Sequence, residues 1–141
     1  MHRAVSVILV INAVVASSLL VGCGGSSTPV LDPTTVQNIS GAELEAMMGG
    51  ADPLVILDVR GSAEFSASHI PGAVNIPLHE LRQRLDELDP RVPVACVCSA
   101  GFRSIQGAQM LTEAGFSTVF NLEGGLGNWP GEWETDCPTC Y

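Results

Sequence analysis

Residues 92–115 read VPVACVCSAGFRSIQGAQMLTEAG, and the reading of this stretch decides the fold. Val92 to Val97 is an apolar run, the composition of a strand covered on both faces. Arg103 to Ala114 has the character of a helix, and Gly115 supplies its stop. Between the two lies Cys98-Ser99-Ala100-Gly101-Phe102, a short loop of mostly small residues. A strand that turns directly into a helix is the first half of a parallel crossover.

The same alternation continues on both sides. Val36 to Ile39 reads as a first edge strand, and Ser40-Gly41-Ala42-Glu43 has capping-box spacing. That predicts a helix to about Met48, ended by Gly49-Gly50. Leu54 to Leu57 and Ala73 to Ile76 read as strands, and Val119 to Leu122 as the last one. Leu78, Leu81, Leu85 and Leu88 fall at helical spacing with Glu80, Arg82, Arg84 and Asp86 between them, which predicts an amphipathic core helix. Strands alternating with helices predict an α/β fold, a small parallel β-sheet with helices on both faces. In such sheets the reactive site lies at the carboxyl ends of the strands.

Composition narrows the classes. The chain has 141 residues, 46% of them apolar, and a formal net charge of -9. One ordinary domain fits that length. Six arginines, no lysine and fifteen carboxylates exclude a phosphate-backbone binder, so no nucleic-acid partner is expected. The apolar fraction excludes disorder. Five cysteines, unevenly placed, do not make a disulfide-built miniature fold.

The first 22 residues are a separate object. Met1-His2-Arg3 gives a positive start, and Ala4 to Val21 is uncharged. As a helix that run is about 27 Å long, barely a membrane span, and Asn12, Ser17 and Ser18 weaken it further. It reads as a secretory signal. Leu20-Val21-Gly22-Cys23 is similar to a bacterial lipobox, which implies cleavage before a lipidated Cys23. The expected organisation is then a signal peptide over 1–22 and a tether over 23–35, rich in Gly, Ser and Pro. A folded domain over 36–130 and a tail over 131–141 follow. The folded part is expected in the bacterial cell envelope, anchored by the Cys23 lipid and facing the periplasm or exterior. Residues 23–141 keep five arginines against fifteen carboxylates, a net charge of -10.

The chemistry points to Cys98. Small residues and Gly101 let successive backbone N–H groups turn inward as an anion nest. The following helix N-terminus adds partial positive charge, and Arg103 a full one. A cysteine in that cup is expected to be a thiolate at neutral pH, and the thiolate is the nucleophile. The bland alternative is a buried structural cysteine.

Three blocks carry a family resemblance. They are Asp58-Val59-Arg60 with Glu64-Phe65 and His69-Ile70-Pro71-Gly72-Ala73-Val74-Asn75-Ile76-Pro77; Cys98-x-x-Gly101-x-Arg103-Ser104; and Asn121-Leu122-Glu123-Gly124-Gly125 with Trp129. In this order they resemble the signatures of rhodanese-family sulfurtransferase domains, over about Val36 to Trp129. Two departures are Ser68, where the family usually has glycine, and the apolar Phe102 in the loop. The resemblance implies a double displacement. Cys98 attacks the outer sulfur of a donor such as thiosulfate, becomes a persulfide, and passes the sulfur to cyanide or a thiol. The nest of Ser99, Ala100, Gly101, Phe102 and Arg103 would hold the anionic persulfide, and Arg103 would support the loop and draw in an anionic donor. Related phosphatases and arsenate reductases use a loop one residue longer, so the six residues from Cys98 to Arg103 favour sulfur. A catalytically idle binding module of the same fold is the alternative from another class. The intact Cys98 and Arg103 speak against it.

The remaining residues have plainer expectations. Asp58, Arg60 and Glu64 are expected to form an ion-pair and capping network that fixes the loop after their strand, rather than a substrate clamp. His69 is expected as a structural hydrogen-bond partner and Cys96 as core. Cys137-Pro138-Thr139-Cys140 is half of a zinc site with no second half, so neither metal nor cofactor is expected. A local disulfide is its plain reading, and resolution of the Cys98 persulfide the sharper one. The sequence leaves the oligomeric state open.

Overall fold

The computed structural model describes residues 35–136. The expected signal peptide, the tether with Cys23, and the pair Cys137 and Cys140 lie outside the described residues. Five parallel strands form one sheet: β1 (Gln37–Ile39), β2 (Val55–Asp58), β3 (Val74–Asn75), β4 (Val94–Val97) and β5 (Val119–Leu122). Their order across the sheet is β1-β5-β4-β2-β3, so β4 is the middle strand. All four residues of β4 are buried, as its unbroken apolar run requires.

Three helices connect the strands: α1 (Gly41–Met48), α2 (Ser62–Ala67) and α3 (Phe102–Glu113). The predicted capping box opens α1. Glu43 N–H donates to Ser40 Oγ at 3.3 Å, and Ser40 N–H donates to Glu43 Oε2 at 2.7 Å. Period-two alternation divides the core between the two faces of the sheet. Leu57, Val94, Cys96 and Val119 pack with Ala108 and Leu111 of α3. Ile56, Ala95, Val97 and Leu122 pack with Leu44 of α1 and with Trp129. Helices therefore cover both faces, as the alternating pattern predicts.

Two elements differ from the sequence expectation. Residues 78–88 do not form one amphipathic helix. They make two 3₁₀ turns, Leu81–Gln83 and Leu85–Glu87, interrupted at Arg84 with φ -121°. The leucines recur at steps of three, four and three, and two short turns bring Leu81 and Leu88 into the core as well as a helix would. The second difference is α2, which apolar periodicity does not announce because it contributes no buried residue.

Residues 131–136 return to the body of the domain. His69 and Glu134 exchange backbone hydrogen bonds at 2.9 and 2.8 Å, as an isolated antiparallel bridge. Asp136 N–H then donates to Ser66 O at 3.0 Å.

Candidate active site

Cys98 follows β4 at its carboxyl end and is 1% exposed. The chain turns at Gly101, whose φ of 90° lies in the left-handed region that glycine adopts without strain. That turn aims Gly101 N–H at Cys98 Sγ, at 3.2 Å. Ser104 N–H, in the first turn of α3, reaches the same sulfur at 3.3 Å. The thiol faces Ser104 Oγ at 3.4 Å.

A glycine pair supports the loop from behind. Gly124 and Gly125 have φ of 72° and 68° and open the 3₁₀ turn Gly125–Asn128. Leu126 N–H donates to Cys98 O at 2.8 Å. A Cβ on Gly125 would collide with Cys98 O and lie 2.6 Å from Ala100 N, so only glycine fits. Ser104 Oγ is placed by Asn121 Oδ1 at 2.7 Å and Gly101 O at 3.0 Å. Asn121 Nδ2 in turn donates to Asn38 Oδ1 at 2.9 Å. A polar chain thus runs from the buried sulfur, through Ser104 of α3 and Asn121 of β5, to the exposed Asn38 on the edge strand β1.

These contacts set the ionisation of Cys98. Burial alone would raise the thiol pKa. The Ser104 hydroxyl and the N–H groups of Ser104, Ala100 and Gly101 outweigh it, and the net shift is downward. Cys96, two residues earlier and fully buried, has no such donors. Burial, with a smaller contribution from the Cys98 charge, pushes its thiol up. The two sulfurs are thus shifted in opposite directions, Cys98 toward the thiolate and Cys96 toward the neutral thiol.

At the rim, Arg103 donates to both oxygens of Glu64 at 2.7 and 2.9 Å and to Ser99 Oγ at 3.0 Å. Ser99 Oγ also donates to Glu64 Oε1 at 3.0 Å. The Arg103 bonds hold the Glu64 carboxyl down to about 2; burial opposes them, and bonds from Ser99 and the Gly61 N–H assist. Asp58 and Arg60 form a separate, buried pair. Arg60 donates to both Asp58 oxygens, and its guanidinium also reaches Ser68 O at 2.6 Å.

The sequence matches the Rhodanese-like domain family over residues 40–132, well over half of the chain. The chain belongs to the rhodanese-like family. A sulfurtransferase of Allochromatium vinosum is 30% identical over 94 residues, covering 67% of this chain and 88% of the relative. The thiosulfate sulfurtransferase GlpE of Shewanella oneidensis is 35% identical over 82 residues, covering 58% and 81%. A crystal structure of a rhodanese-like domain protein from Staphylococcus aureus superposes with a TM-score of 0.67 at 28% identity, covering 72% of this chain and all of that one. Against one Bacillus subtilis relative, 34% identical over 101 residues, the chain spans 55% of the relative's length.

Within this rhodanese-like domain the expected residues are gathered unevenly. Cys98, Ser99, Ala100, Gly101 and Arg103 form the loop, while Phe102 points outward at 77% exposure. Of the expected nest, the N–H groups of Ala100 and Gly101 are directed at Sγ, and a third comes from Ser104, which lies outside it. Arg103 supports the loop through Ser99, but its charge is engaged by Glu64. Asp58 and Arg60 do form an ion-pair network behind the loop. Glu64 is not part of that pair; its carboxylate accepts from Gly61 N–H at 3.3 Å, as a cap of α2, and from Ser99 and Arg103 of the loop after β4. His69 Nδ1 bonds Phe65 O at 2.8 Å and the ring stacks on Phe65, a structural role. The sequence reading assigned no role to Ser104, Asn121 or Asn38. Ser104 and Asn121 lay inside recognised motifs as letters only, and nothing marked Asn38. Among the described residues, no group of three or more His, Cys, Asp or Glu is gathered as metal ligands would be.

Proposed function

We propose that this rhodanese-like domain is a sulfurtransferase that carries sulfane sulfur as a persulfide on Cys98. The observation that carries the reading is the convergence of the Gly101 and Ser104 N–H groups on one sulfur, with the Ser104 hydroxyl beside it at 3.4 Å. Those donors stabilise a thiolate before attack and an anionic persulfide after it, with no general base required. The relatives named as sulfurtransferases support the same class. Cys98 is 1% exposed, so on this reading the donor reaches it through a slender terminal sulfur, and the new S–S bond of about 2 Å carries the transferred atom outward toward a thiol or cyanide acceptor.

The test is thiocyanate formation from thiosulfate and cyanide, with mass analysis of Cys98. Wild type is expected to form thiocyanate and a one-sulfur adduct on Cys98, and Cys98→Ser to form neither. No adduct with any sulfane donor would overturn the reading. We also place the domain in the cell envelope on a Cys23 lipid, on the strength of the lipobox-like sequence. Labelled fatty acid should enter the wild-type chain and not Cys23→Ala.

A further inference from the structure

We propose that Asn121 and Asn38 are positioning residues that set the charge state of Cys98 by competing with its sulfur for the one hydroxyl proton of Ser104. This control depends on the geometry around Sγ and not on which sulfur donor Cys98 meets. Ser104 Oγ faces three atoms that can accept that proton: Asn121 Oδ1 at 2.7 Å, Gly101 O at 3.0 Å and, once ionised, Cys98 Sγ at 3.4 Å. A serine hydroxyl has a single proton to give. With Cys98 protonated, the chain of bonds is satisfied from end to end. The thiol donates to Ser104 Oγ, the hydroxyl donates to Asn121 Oδ1, and Asn121 Nδ2 donates to Asn38 Oδ1 at 2.9 Å. A thiolate accepts instead of donating, so the hydroxyl must turn from Asn121 to the sulfur. That move leaves Asn121 Oδ1, on a residue 6% exposed, without its donor, and the loss opposes ionisation.

The sheet explains why two asparagines take part. Asn38 and Asn121 are register partners on β1 and β5, and Asn121 is in turn the partner of Cys96 on β4. The two amides therefore lie side by side on the face that α3 covers. An amide can offer either end to Ser104. Its oxygen takes the hydroxyl proton, whereas its nitrogen would donate to Ser104 Oγ and release that proton to the sulfur. Asn38 Oδ1 accepts from the nitrogen and so keeps the oxygen toward Ser104. Asn38 itself is exposed at the sheet edge, which lets a substitution there free the amide without opening the core. Restraint of this kind suits a nucleophile. Thiolate nucleophilicity falls as the thiol pKa falls, and the loop N–H groups already draw the Cys98 thiol down. The amides withhold part of a further donor, so the sulfur ionises without being fully stabilised.

The experiment is the rate of iodoacetamide alkylation against pH in the reduced full chain, in detergent, followed by peptide mass at Cys98. Asn121→Leu keeps the branched shape and removes both polar ends. Its profile is expected to move to lower pH by about one unit, the size of a hydrogen bond to a charged group. Asn38→Ala frees the amide to turn and should move the profile the same way by about half as much. Asn38→Asp keeps an acceptor for Asn121 Nδ2 and should show no acid shift. In a Ser104→Ala background, with no hydroxyl proton to contest, Asn121→Leu should add nothing. The groups around the sulfur are unchanged throughout: Arg103 of α3 with Glu64 of α2, the Asp58–Arg60 pair at the end of β2, and Cys96 of β4. An unshifted or alkaline-shifted Asn121→Leu profile would overturn the competition, as would an acid shift in Asn38→Asp. An equal acid shift without Ser104 would also overturn it, because the substitution would then act by deforming the loop. If Asn121→Leu does not fold, Asn38→Ala decides alone: an acid shift supports the competition, and its absence overturns it. Iodoacetamide needs no sulfane donor, so this result and the thiocyanate assay stand or fall separately.

Discussion

Removing the Ser104 hydroxyl takes away the polar group 3.4 Å from Cys98 Sγ that helps to lower its pKa, and leaves Asn121 Oδ1 without its 2.7 Å donor. A hydrogen bond to a charged group contributes about 1.5–3 kcal/mol, so Ser104→Ala should slow alkylation of Cys98 at neutral pH by 10-fold or more. Because Cys98 titrates below the ordinary thiol range, the rate–pH curve of the variant should move to higher pH, which iodoacetamide kinetics would read. Glu64 works in the opposite sense on the donor side. Its bond to Arg103 engages the arginine at the rim of the site. Glu64→Gln should lower the KM for thiosulfate by about fivefold, the equivalent of roughly 1 kcal/mol for a half-exposed pair. Its folded pKa of about 2 lies below the ordinary 4.5. The pair therefore stabilises the fold fully above pH 4.5, and that contribution disappears as pH falls toward 2. Melts of wild type and variant should differ by no more than ~1 kcal/mol at neutral pH and converge in acid. None of this pairing was legible in the sequence. Glu64 and Arg103 are 39 residues apart, and a partner that distant leaves no local pattern.

At the level of elements, legibility followed burial. The inner strands β2, β4 and β5 announced themselves because both of their faces are covered, and α1 because its cap is written in four consecutive residues. The short helix α2 buries nothing, so no periodicity marked the element that delivers Glu64. The leucines of 78–88 marked a buried stripe correctly and its hydrogen-bonding pattern wrongly, since side-chain spacing of three or four does not distinguish one helix from two tight turns. The glycine pair after β5 was visible as a motif, but its purpose depends on a contact with another element. Gly125→Ala would force its Cβ into the Cys98–Ala100 backbone at an already left-handed φ of 68°. The variant should lose ~100-fold or more in thiocyanate formation, as expected when a site is displaced by an ångström. Asp58→Ala tests a different element. It leaves Arg60 buried without its carboxylate and should cost about 3–5 kcal/mol in urea unfolding, with the Cys98 adduct still forming in the folded fraction.

For the whole molecule, charge and site are in tension. The chain carries -9, and its loop arginine is already neutralised by Glu64. On the proposed function, a dianionic donor such as thiosulfate would approach against the net field. Raising ionic strength from about 10 to 150 mM shortens the screening length from roughly 30 to 8 Å, so kcat/KM for thiosulfate should rise while that for an uncharged sulfane donor stays level. The layout of the sheet carries a practical consequence for anyone building fusions. Gln37 enters β1 at the amino ends of the parallel strands, opposite the edge that holds Cys98, whereas Asp136 leaves the fold against α2, beside that edge. These two positions are not equivalent handles. A fluorescent protein or affinity tag joined ahead of β1 hangs clear of the reactive sulfur, while the same cargo joined after Asp136 crowds its mouth.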